Sequence, residues 1–336
     1  MDEQDNSTNS PPEVFYSYTY RQMVVAFILV LSILGTFGNM LVIAAVILSK
    51  KLWHVTNMFV LNLSIVDLLI CVYVIPMNAV VFFKAEQSPT IKPFCTIAGL
   101  MFVLCFGCSI NNLMCIAISR YAIIRLNGAA YAKLFSQRRT ALAIGMTWLI
   151  PMFGELVPTL TGCLKPGYDE DFSACNVDVK NTHKGCAVIV LFSIVPVQFC
   201  VLFWSCAMVF RHIRTHAKRV QHLEAPIEMQ VHNAQRIQQP RPNTKLQVEV
   251  SKNLLLVVCA FIVCILPATI CSLLLFTLKD NTTVRKVMPG TIVILSANSC
   301  LNPMIYGFKH PHFKTVFNCI LRGRFDQIPD RNRICK

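Results

Sequence analysis

The chain contains 336 residues, of which 54% are hydrophobic and only 14% are charged, and its mean hydropathy is +0.54. Soluble domains normally carry roughly a quarter charged residues, so this composition excludes a water-soluble globule. The formal net charge is +14, and the meaning of this excess depends on where the basic residues lie.

Seven long apolar segments follow one another along the chain. Each reaches the roughly 20 residues that a helix needs to cross a hydrocarbon core of about 30 Å. A spanning segment in lipid must satisfy its own backbone, so runs of this length favour helices over barrel strands. The sequence predicts an all-α membrane protein with a seven-transmembrane helix bundle over 21–308, with spans at about 21–48, 55–83, 93–124, 138–161, 185–214, 247–279 and 285–308.

The distribution of charge orients this bundle. If the N-terminus lies outside, the inner loops and tail hold 22 basic and five acidic residues, which is the orientation that the positive-inside rule favours. The excess charge then faces anionic lipid and partner proteins rather than nucleic acid. We expect an extracellular tail over 1–20, an amphipathic surface helix over 309–321, and a cytoplasmic tail over 322–336 that is mobile after Arg324.

Polar groups and prolines inside the spans are the next signal, because polar groups there are costly to bury and are functional candidates. One such residue is weak support for a function, but one or more in every span form a strong pattern. In chain order the spans carry Gly38-Asn39, Asn62 to Asp67, Ser119-Arg120-Tyr121, Trp148, Pro196, Pro267, and Asn302-Pro303 with Tyr306.

This pattern resembles the rhodopsin-like (class A) G-protein-coupled receptors over about residues 21–321. The stretch Asn298-Ser299-Cys300-Leu301-Asn302-Pro303 and the non-acidic residue before Arg120 are most similar to the melatonin-receptor neighbourhood, which includes the insect receptors called moody and trapped in endoderm. The resemblance implies a plasma-membrane receptor that transmits an extracellular signal to a heterotrimeric G protein. Arrestins and receptor kinases are further candidate partners.

The resemblance also implies an allosteric sodium pocket, formed by Asp67, Ser109, Asn298 and Asn302. A carboxylate in mid-membrane needs a partner, and sodium takes oxygen ligands by the logic that applies to other hard cations. The alternative is that Asp67 hydrogen-bonds Asn39 and Asn302 through water. No other cofactor is expected.

Activation and G-protein coupling are assigned by the resemblance to Ser119, Arg120, Tyr121, Trp204, Ile265, Pro267, Pro303 and Tyr306. Three of these depart from the family pattern: Ser119 replaces an acid, Ile265 replaces a tryptophan, and Trp204 replaces a tyrosine. A hydroxyl gives Arg120 no charge-assisted pair. Ser119 therefore predicts raised basal signalling, unless other contacts compensate.

The ligand pocket of such receptors lies in the outer halves of spans 3, 5, 6 and 7. Phe102 occupies the position where amine receptors have an acid, and Ser296 the position of the retinal-binding lysine of opsins, so neither ligand is expected. An apolar wall with a few hydroxyls predicts a small neutral or lipid-like ligand, although mutual packing explains the same residues. The candidates are Phe102, Val103, Phe106, Val188, Phe192, Ala268, Thr269, Ser272, Met288, Ile292 and Ser296.

Several residues are candidates for covalent modification. An oxidising exterior permits a disulfide. Cys163, Cys175 and Cys186 all lie in or beside the loop after span 4, and the sequence alone does not choose the partner of Cys95, although Cys175, in the middle of that loop, is the best placed to reach it. Asn6 and Asn281 lie in glycosylation sequons on the outer side. Cys319 in the surface helix suits either an acyl chain or a free thiol.

Three alternatives to a signalling receptor make different demands on the sequence. A transporter or channel predicts internal repeats or matched broken helices, and the sequence shows neither. A non-signalling scavenger or adhesion receptor stays open, because Ser119, Ile265 and Trp204 depart from the activation pattern. An enzyme is not expected, since the chain has no paired carboxylates, metal-spaced cluster or phosphate loop.

Overall fold

The computed structural model describes residues 16–84, 89–126, 128–169, 173–177, 199–204, 206–208, 210–211, 214–215, 242–277 and 282–332. Six helices in these residues are long and apolar enough to cross a membrane. We number them by the predicted spans: span 1 is Tyr18–Leu48, span 2 Val55–Lys84, span 3 Lys92–Arg125, span 4 Gln137–Leu160, span 6 Pro242–Thr277 and span 7 Thr282–Lys309.

Span 5, predicted at 185–214, lies mostly outside the described residues, and its described part is helical at 199–204. The other helices end within a few residues of their predicted bounds. The prediction of an all-helical membrane bundle is confirmed.

The outward sides of these helices are apolar and exposed. Phe27, Leu142 and Val263 expose 66%, 69% and 64% of their surfaces, and many other large apolar side chains are similarly uncovered. Soluble proteins rarely expose apolar surface on this scale. These side chains therefore face lipid, while the polar residues of the spans face one another.

Span 2 contains a wide π turn at Ile70–Val74, immediately after the buried Asp67. In a π turn each carbonyl accepts from the amide five residues later, so Cys71 would need the amide of residue 76. That residue is Pro76, which has no N–H to donate. The hydroxyl of Ser32 on span 1 donates to the Cys71 carbonyl instead, at 2.6 Å.

Spans 1 and 7 pack closely because of a glycine and a proline. A Cβ at Gly38 would lie 2.8 Å from the Cβ of Pro303, so only glycine permits this approach. Pro303 cannot donate to the carbonyl of Ser299, four residues earlier. The side-chain amide of Asn39 donates to that carbonyl at 2.9 Å, which explains why the sequence pairs Gly38 with Asn39.

A second proline of span 7, near its outer end, also leaves a carbonyl without a backbone donor, and a side chain supplies the missing hydrogen bond. Pro289 cannot donate to the carbonyl of Arg285, and the hydroxyl of Tyr16 donates to it. Burial raises the pKa of Tyr16 to about 12, so this hydroxyl keeps its proton at neutral pH. The contact ties the N-terminal end of the described chain to span 7.

Hydrogen bonds between side chains join spans 2, 3 and 4. The amide nitrogen of Asn62 donates to Asn112 at 2.8 Å and to Thr147 at 3.1 Å. The indole of Trp148 donates to the Asn62 oxygen at 2.9 Å. Each of these groups is far from water, so their mutual satisfaction fixes how the three helices pack.

A short β-hairpin covers part of the outer end of the bundle. Its strands, Pro166–Asp169 and Ala174–Val177, pair antiparallel. The Cys95–Cys175 disulfide joins the hairpin to span 3, and the Cys175 amide donates to the side chain of Asn78 on span 2 at 2.7 Å. A Cβ at Gly99 would lie 2.6 Å from the Asn176 carbonyl, so this glycine admits the hairpin.

The surface helix begins later than predicted, at Pro311, and ends at Leu321. His310 has an extended backbone, since a residue before proline is disfavoured in a helix. Residue 309 therefore ends span 7 instead of starting the surface helix. Phe313, Val316 and Phe317 form the buried face of the surface helix.

The C-terminal tail is not mobile throughout, and the prediction that it is mobile after Arg324 is wrong for residues 325–332. Ser49 and Arg331 form an antiparallel β-bridge, and Asn332 donates its amide to the Leu48 carbonyl at 2.8 Å. Ile328 is buried in the main core at 4% exposure. This tail segment is thus packed against the inner end of span 1, because one apolar side chain and the unpaired edge of the first loop hold it there.

We expect Ile328→Asp to release this tail segment. Full burial of such a side chain contributes about 1.5–3 kcal/mol, so amide protection at 49–52 and 328–332 should fall by roughly tenfold or more. Hydrogen–deuterium exchange of the solubilised protein measures this. The exposed neighbour Gln327→Asp is the matched control, and equal uptake in both variants would contradict the packed tail.

Candidate functional site

Asp67 is fully buried in mid-membrane and is held by span 7. The Ser299 hydroxyl donates to its Oδ1 at 2.9 Å, and the Asn302 amide donates to its Oδ2 at 2.8 Å. Asn302 was among the predicted partners, whereas Ser299 was missed. Ser299 lies three residues before Asn302 and therefore on the same face of span 7, so this spacing could have predicted it as a second partner of Asp67. Asn39 makes no direct bond to Asp67 and instead donates to the Gly35 and Ser299 carbonyls.

The other two residues predicted for the sodium pocket, Ser109 and Asn298, line a cavity that Asp67 and Asn302 themselves do not line. The volume of this cavity is about 50 Å³, and Ser299 also borders it. Among the described residues, the Ser109 hydroxyl and the Asn298 Oδ1 are buried and have no hydrogen-bond partner. A cavity needs about 10–15 Å³ to hold one water molecule, so this space suits an ion with a few waters. Unpartnered oxygens are the ligands that a hard cation requires.

Four of the residues predicted for the ligand pocket line the same cavity: Phe102, Phe106, Ile292 and Ser296. Val103, Ala268, Thr269, Ser272 and Met288 do not. The hydroxyls of Thr269 and Ser272 donate to carbonyls of their own helix, and Met288 is fully buried. Val188 and Phe192 lie outside the described residues. No described residue lining the cavity is charged.

An aromatic row runs from the outer half of span 3 to span 6. The rings of Phe102 and Phe106 lie 6.0 Å apart and nearly parallel, and Phe106 lies 6.4 Å from Phe261. Ile265, where relatives have tryptophan, is buried one turn above Phe261, and Pro267 lies inside the same helix. Phe261 was not predicted from the sequence, because it lies among apolar residues of span 6 and no motif distinguishes it from them.

At the inner end of span 3, Arg120 is 9% exposed and its Nε is buried without a partner. No ion pair or hydrogen bond to its guanidinium occurs among the residues that the structure describes. The preceding Ser119 instead shares a hydrogen bond of 3.2 Å with Thr56 on span 2. The Ser119 hydroxyl also donates to the Ile116 carbonyl of its own helix at 3.2 Å. Ser119 is therefore bonded to span 2 and to span 3 and not to its neighbour Arg120.

Tyr121 and Trp204 meet at the same inner end. Their rings lie 5.8 Å apart, edge to face. Trp204 is 56% exposed, and Arg125 lies over the other side of the Tyr121 ring, 6.0 Å from its centre. The tryptophan that replaces the usual tyrosine thus contacts Tyr121, which joins spans 3 and 5.

Tyr306 and His310 complete this inner region from span 7. Tyr306 is buried, stacks on Phe313 at 5.7 Å and has a hydroxyl without a partner. Burial, with smaller contributions from His312 and Arg120, lowers the pKa of His310 to about 4. His310 is therefore neutral at physiological pH and adds no charge next to Arg120.

The predicted modification sites are only partly covered by the structure. The Cys95–Cys175 disulfide is present, as the loop position favoured. Cys319 is partly buried, and its thiol faces the Gln327 carbonyl of the tail at 3.6 Å. Asn6 and Asn281 lie outside the described residues.

The sequence matches the family described as "7 transmembrane receptor (rhodopsin family)" over residues 38–306. This match covers most of the chain and includes Asp67, Arg120 and Tyr306. The chain therefore belongs to the rhodopsin family of G-protein-coupled receptors. Members of this family are signalling receptors rather than enzymes, and their chains cross the membrane several times.

Three relatives show how broad the similarity is. The melatonin receptor type 1C of Xenopus laevis is 29% identical over 89% of this chain and 66% of its own length, just under two thirds. The 5-hydroxytryptamine receptor 4 of Cavia porcellus is 25% identical over 89% of this chain and 79% of its own. The human adenosine receptor A2a is 29% identical over 88% of this chain and 71% of its own. Melatonin receptors are thus among the relatives, as the sequence motifs indicated, but receptors named for other ligands are similar to nearly the same degree.

We expect Ser299→Ala to destabilise the receptor, because one oxygen of the buried Asp67 loses its donor. Leaving a buried polar group unsatisfied costs about 1–3 kcal/mol, which thermal unfolding of the solubilised protein should detect as a lower midpoint. The matched control is Ser272→Ala, whose hydroxyl donates only within its own helix. Equal losses in the two variants would show that the Ser299 hydroxyl has no special role at Asp67.

Proposed function

We propose that this chain is a plasma-membrane receptor, with its N-terminus outside, that couples binding of a small uncharged ligand to a heterotrimeric G protein. The observation that carries the proposal is the position of Arg120. It lies at the inner ends of the helices, facing a cavity that Asn253 and Tyr306 also line, with no ion pair in the described residues. A guanidinium held there by weak contacts is available to a partner that enters when the helices separate. Arrestins, receptor kinases and membrane lipid are proposed as further partners of this basic face.

The ligand class is proposed from the side chains that face the outer half of the bundle. Phe102 offers an aromatic ring where amine recognition needs a carboxylate, and the described cavity lining has no charged group. Ligand sites are mostly apolar with a few placed polar groups, and Ser296 and Asn78 are such groups here. Relatives include receptors named for melatonin and adenosine and also one named for the amine 5-hydroxytryptamine, so the ligand class is proposed from the lining and not from the relatives. An uncharged or lipid-like ligand fits this lining better than an amine.

Sodium is proposed as an allosteric ion at Asp67. The ion would be held by the carboxylate and by the unpartnered oxygens of Ser109 and Asn298, next to Asn302. Its charge would offset that of a carboxylate buried in lipid.

Raised basal signalling is proposed from Ser119. Because its hydroxyl is bonded to Thr56, the resting position of Arg120 has no charge-assisted bond from span 3. The same feature supports the alternative of a non-signalling receptor, so coupling has to be measured directly.

The decisive experiment is nucleotide exchange on a panel of purified G proteins, without added ligand. We expect basal exchange that Arg120→Ala abolishes. Exchange no higher than that of Arg120→Ala on every G protein would favour a non-signalling receptor. Candidate ligands are then screened on the coupled G protein, with neutral and lipid-like compounds compared against amines.

Ser119→Asp should lower basal exchange by roughly tenfold, because a charge-assisted hydrogen bond contributes about 1.5–3 kcal/mol. Ser119→Asn has the same size without the charge and is the control. Unchanged basal exchange in Ser119→Asp, in a variant that folds, would refute a role for the missing acid.

Sodium should raise the thermal unfolding midpoint when it replaces N-methylglucamine at constant chloride. A ligand at ten times its Kd stabilises by about 1.4 kcal/mol. The effect should disappear in Asp67→Asn and persist in Asp326→Asn, an exposed acid of the tail. A sodium effect of the same size in both variants would place the ion elsewhere.

A further inference from the structure

A small cavity lies at the inner end of the bundle, between spans 2, 3, 6 and 7. Its volume is about 20 Å³. No acid is present among the described side chains that line it. The polar members of the lining are Thr56, Asn57, Arg120, Asn253, Tyr306 and His310.

This lining combines one buried cation, Arg120, with several neutral groups that can donate hydrogen bonds. The Nε of Arg120 and the hydroxyl of Tyr306 are buried without a partner among the described residues. Asn57 and Asn253 each donate one amide hydrogen to a backbone carbonyl at 2.9 Å. A side-chain amide carries two donor hydrogens, so each keeps one for the cavity. Such a set of donors suits an anion.

The cavity also carries a positive charge that nothing in the described structure offsets. Arg120 is only 9% exposed, and its guanidinium stays protonated at all physiological pH values. Burying a charge without a partner is costly. Ser119 supplies no negative charge, since its hydroxyl is uncharged and bonded to Thr56.

The size of the cavity limits what can occupy it. About 10–15 Å³ of such space holds one water-sized body, so about 20 Å³ matches a single-atom ion more closely than a polyatomic anion such as phosphate. Chloride is the abundant anion of this size.

We propose that this cavity binds chloride, which gives Arg120 the counter-charge that Ser119 lacks. Binding would stabilise the resting arrangement, in which the donors of spans 2, 3, 6 and 7 converge on one ion. The regulatory consequence rests on the proposed function: chloride would lower basal signalling, because the ion must leave before Arg120 reaches a G protein.

The first test measures binding without any G protein. Purified receptor in lipid nanodiscs is unfolded thermally while gluconate replaces chloride at constant sodium concentration and ionic strength. Chloride should raise the midpoint saturably, by about 2–4 °C. An identical midpoint in chloride and gluconate overturns the proposal.

Charge-changing variants locate the effect. Asn253→Asp places a carboxylate in the lining and should abolish the chloride dependence, as should Ser119→Asp. Asn318→Asp makes the same change on the exposed side of the surface helix and should leave the dependence intact. A chloride effect that is equal in Asn253→Asp and Asn318→Asp places the ion elsewhere and overturns the proposal.

One acid could compete for the role of counter-ion. Glu249 is the only acid in the sequence of span 6, and its side chain lies outside the described residues. A chloride dependence that is absent from the parent receptor and appears only in Glu249→Gln would assign the counter-charge to Glu249. A dependence already present in the parent supports chloride.

The signalling consequence is measured separately as basal nucleotide exchange in chloride and in gluconate. Exchange should fall as chloride rises, and this dependence should be lost in Ser119→Asp. A receptor that shifts its midpoint with chloride but activates no G protein retains the ion site and loses only the proposed function. Basal exchange that is active but indifferent to chloride overturns the regulatory part.

Discussion

Backbone hydrogen bonding inside lipid is the constraint on which the rest of this structure depends, because no water is present to satisfy a carbonyl that a proline leaves unpaired. Spans 2 and 7 contain three such carbonyls. Each is met by a side chain that crosses from another part of the chain: Ser32 to Cys71, Asn39 to Ser299, and Tyr16 to Arg285. The hydrogen bonds made to these carbonyls thereby join span 1 to spans 2 and 7, and the N-terminal end of the described chain to span 7.

Buried charges also need hydrogen-bond partners inside the bundle. Asp67 at mid-depth and Arg120 at the inner end differ in how many partners they have. Asp67 has a donor on each oxygen, with unpartnered oxygens at an adjoining cavity. Arg120 has no such partners in the described residues, and Ser119 is bonded elsewhere. The acid at mid-depth is thus held by more hydrogen bonds than the cation at the inner end.

Particular residues show how far sequence reasoning reached. The spans followed from hydropathy, and Asn302 followed from the family pattern. Ser299 was missed because its partner is 232 positions away in the sequence. The ordered tail was missed because a polar composition indicates mobility, whereas a single buried side chain, Ile328, and the loop edge at Ser49 are enough to hold it. Both are contacts between distant residues, which local composition does not encode.

The sequence by itself determined that this protein crosses the membrane as a helical bundle and which receptor family it resembles, and its charges predict how the bundle is oriented. These properties depend on hydropathy, charge and short motifs, which are local. Tertiary structure alone decided which group satisfies each orphan carbonyl, that Ser119 bonds Thr56 and a carbonyl of its own helix, and that polar side chains from four spans line one small cavity. Those outcomes depend on how helices approach one another, and in lipid that approach is fixed by the few polar groups that must find partners.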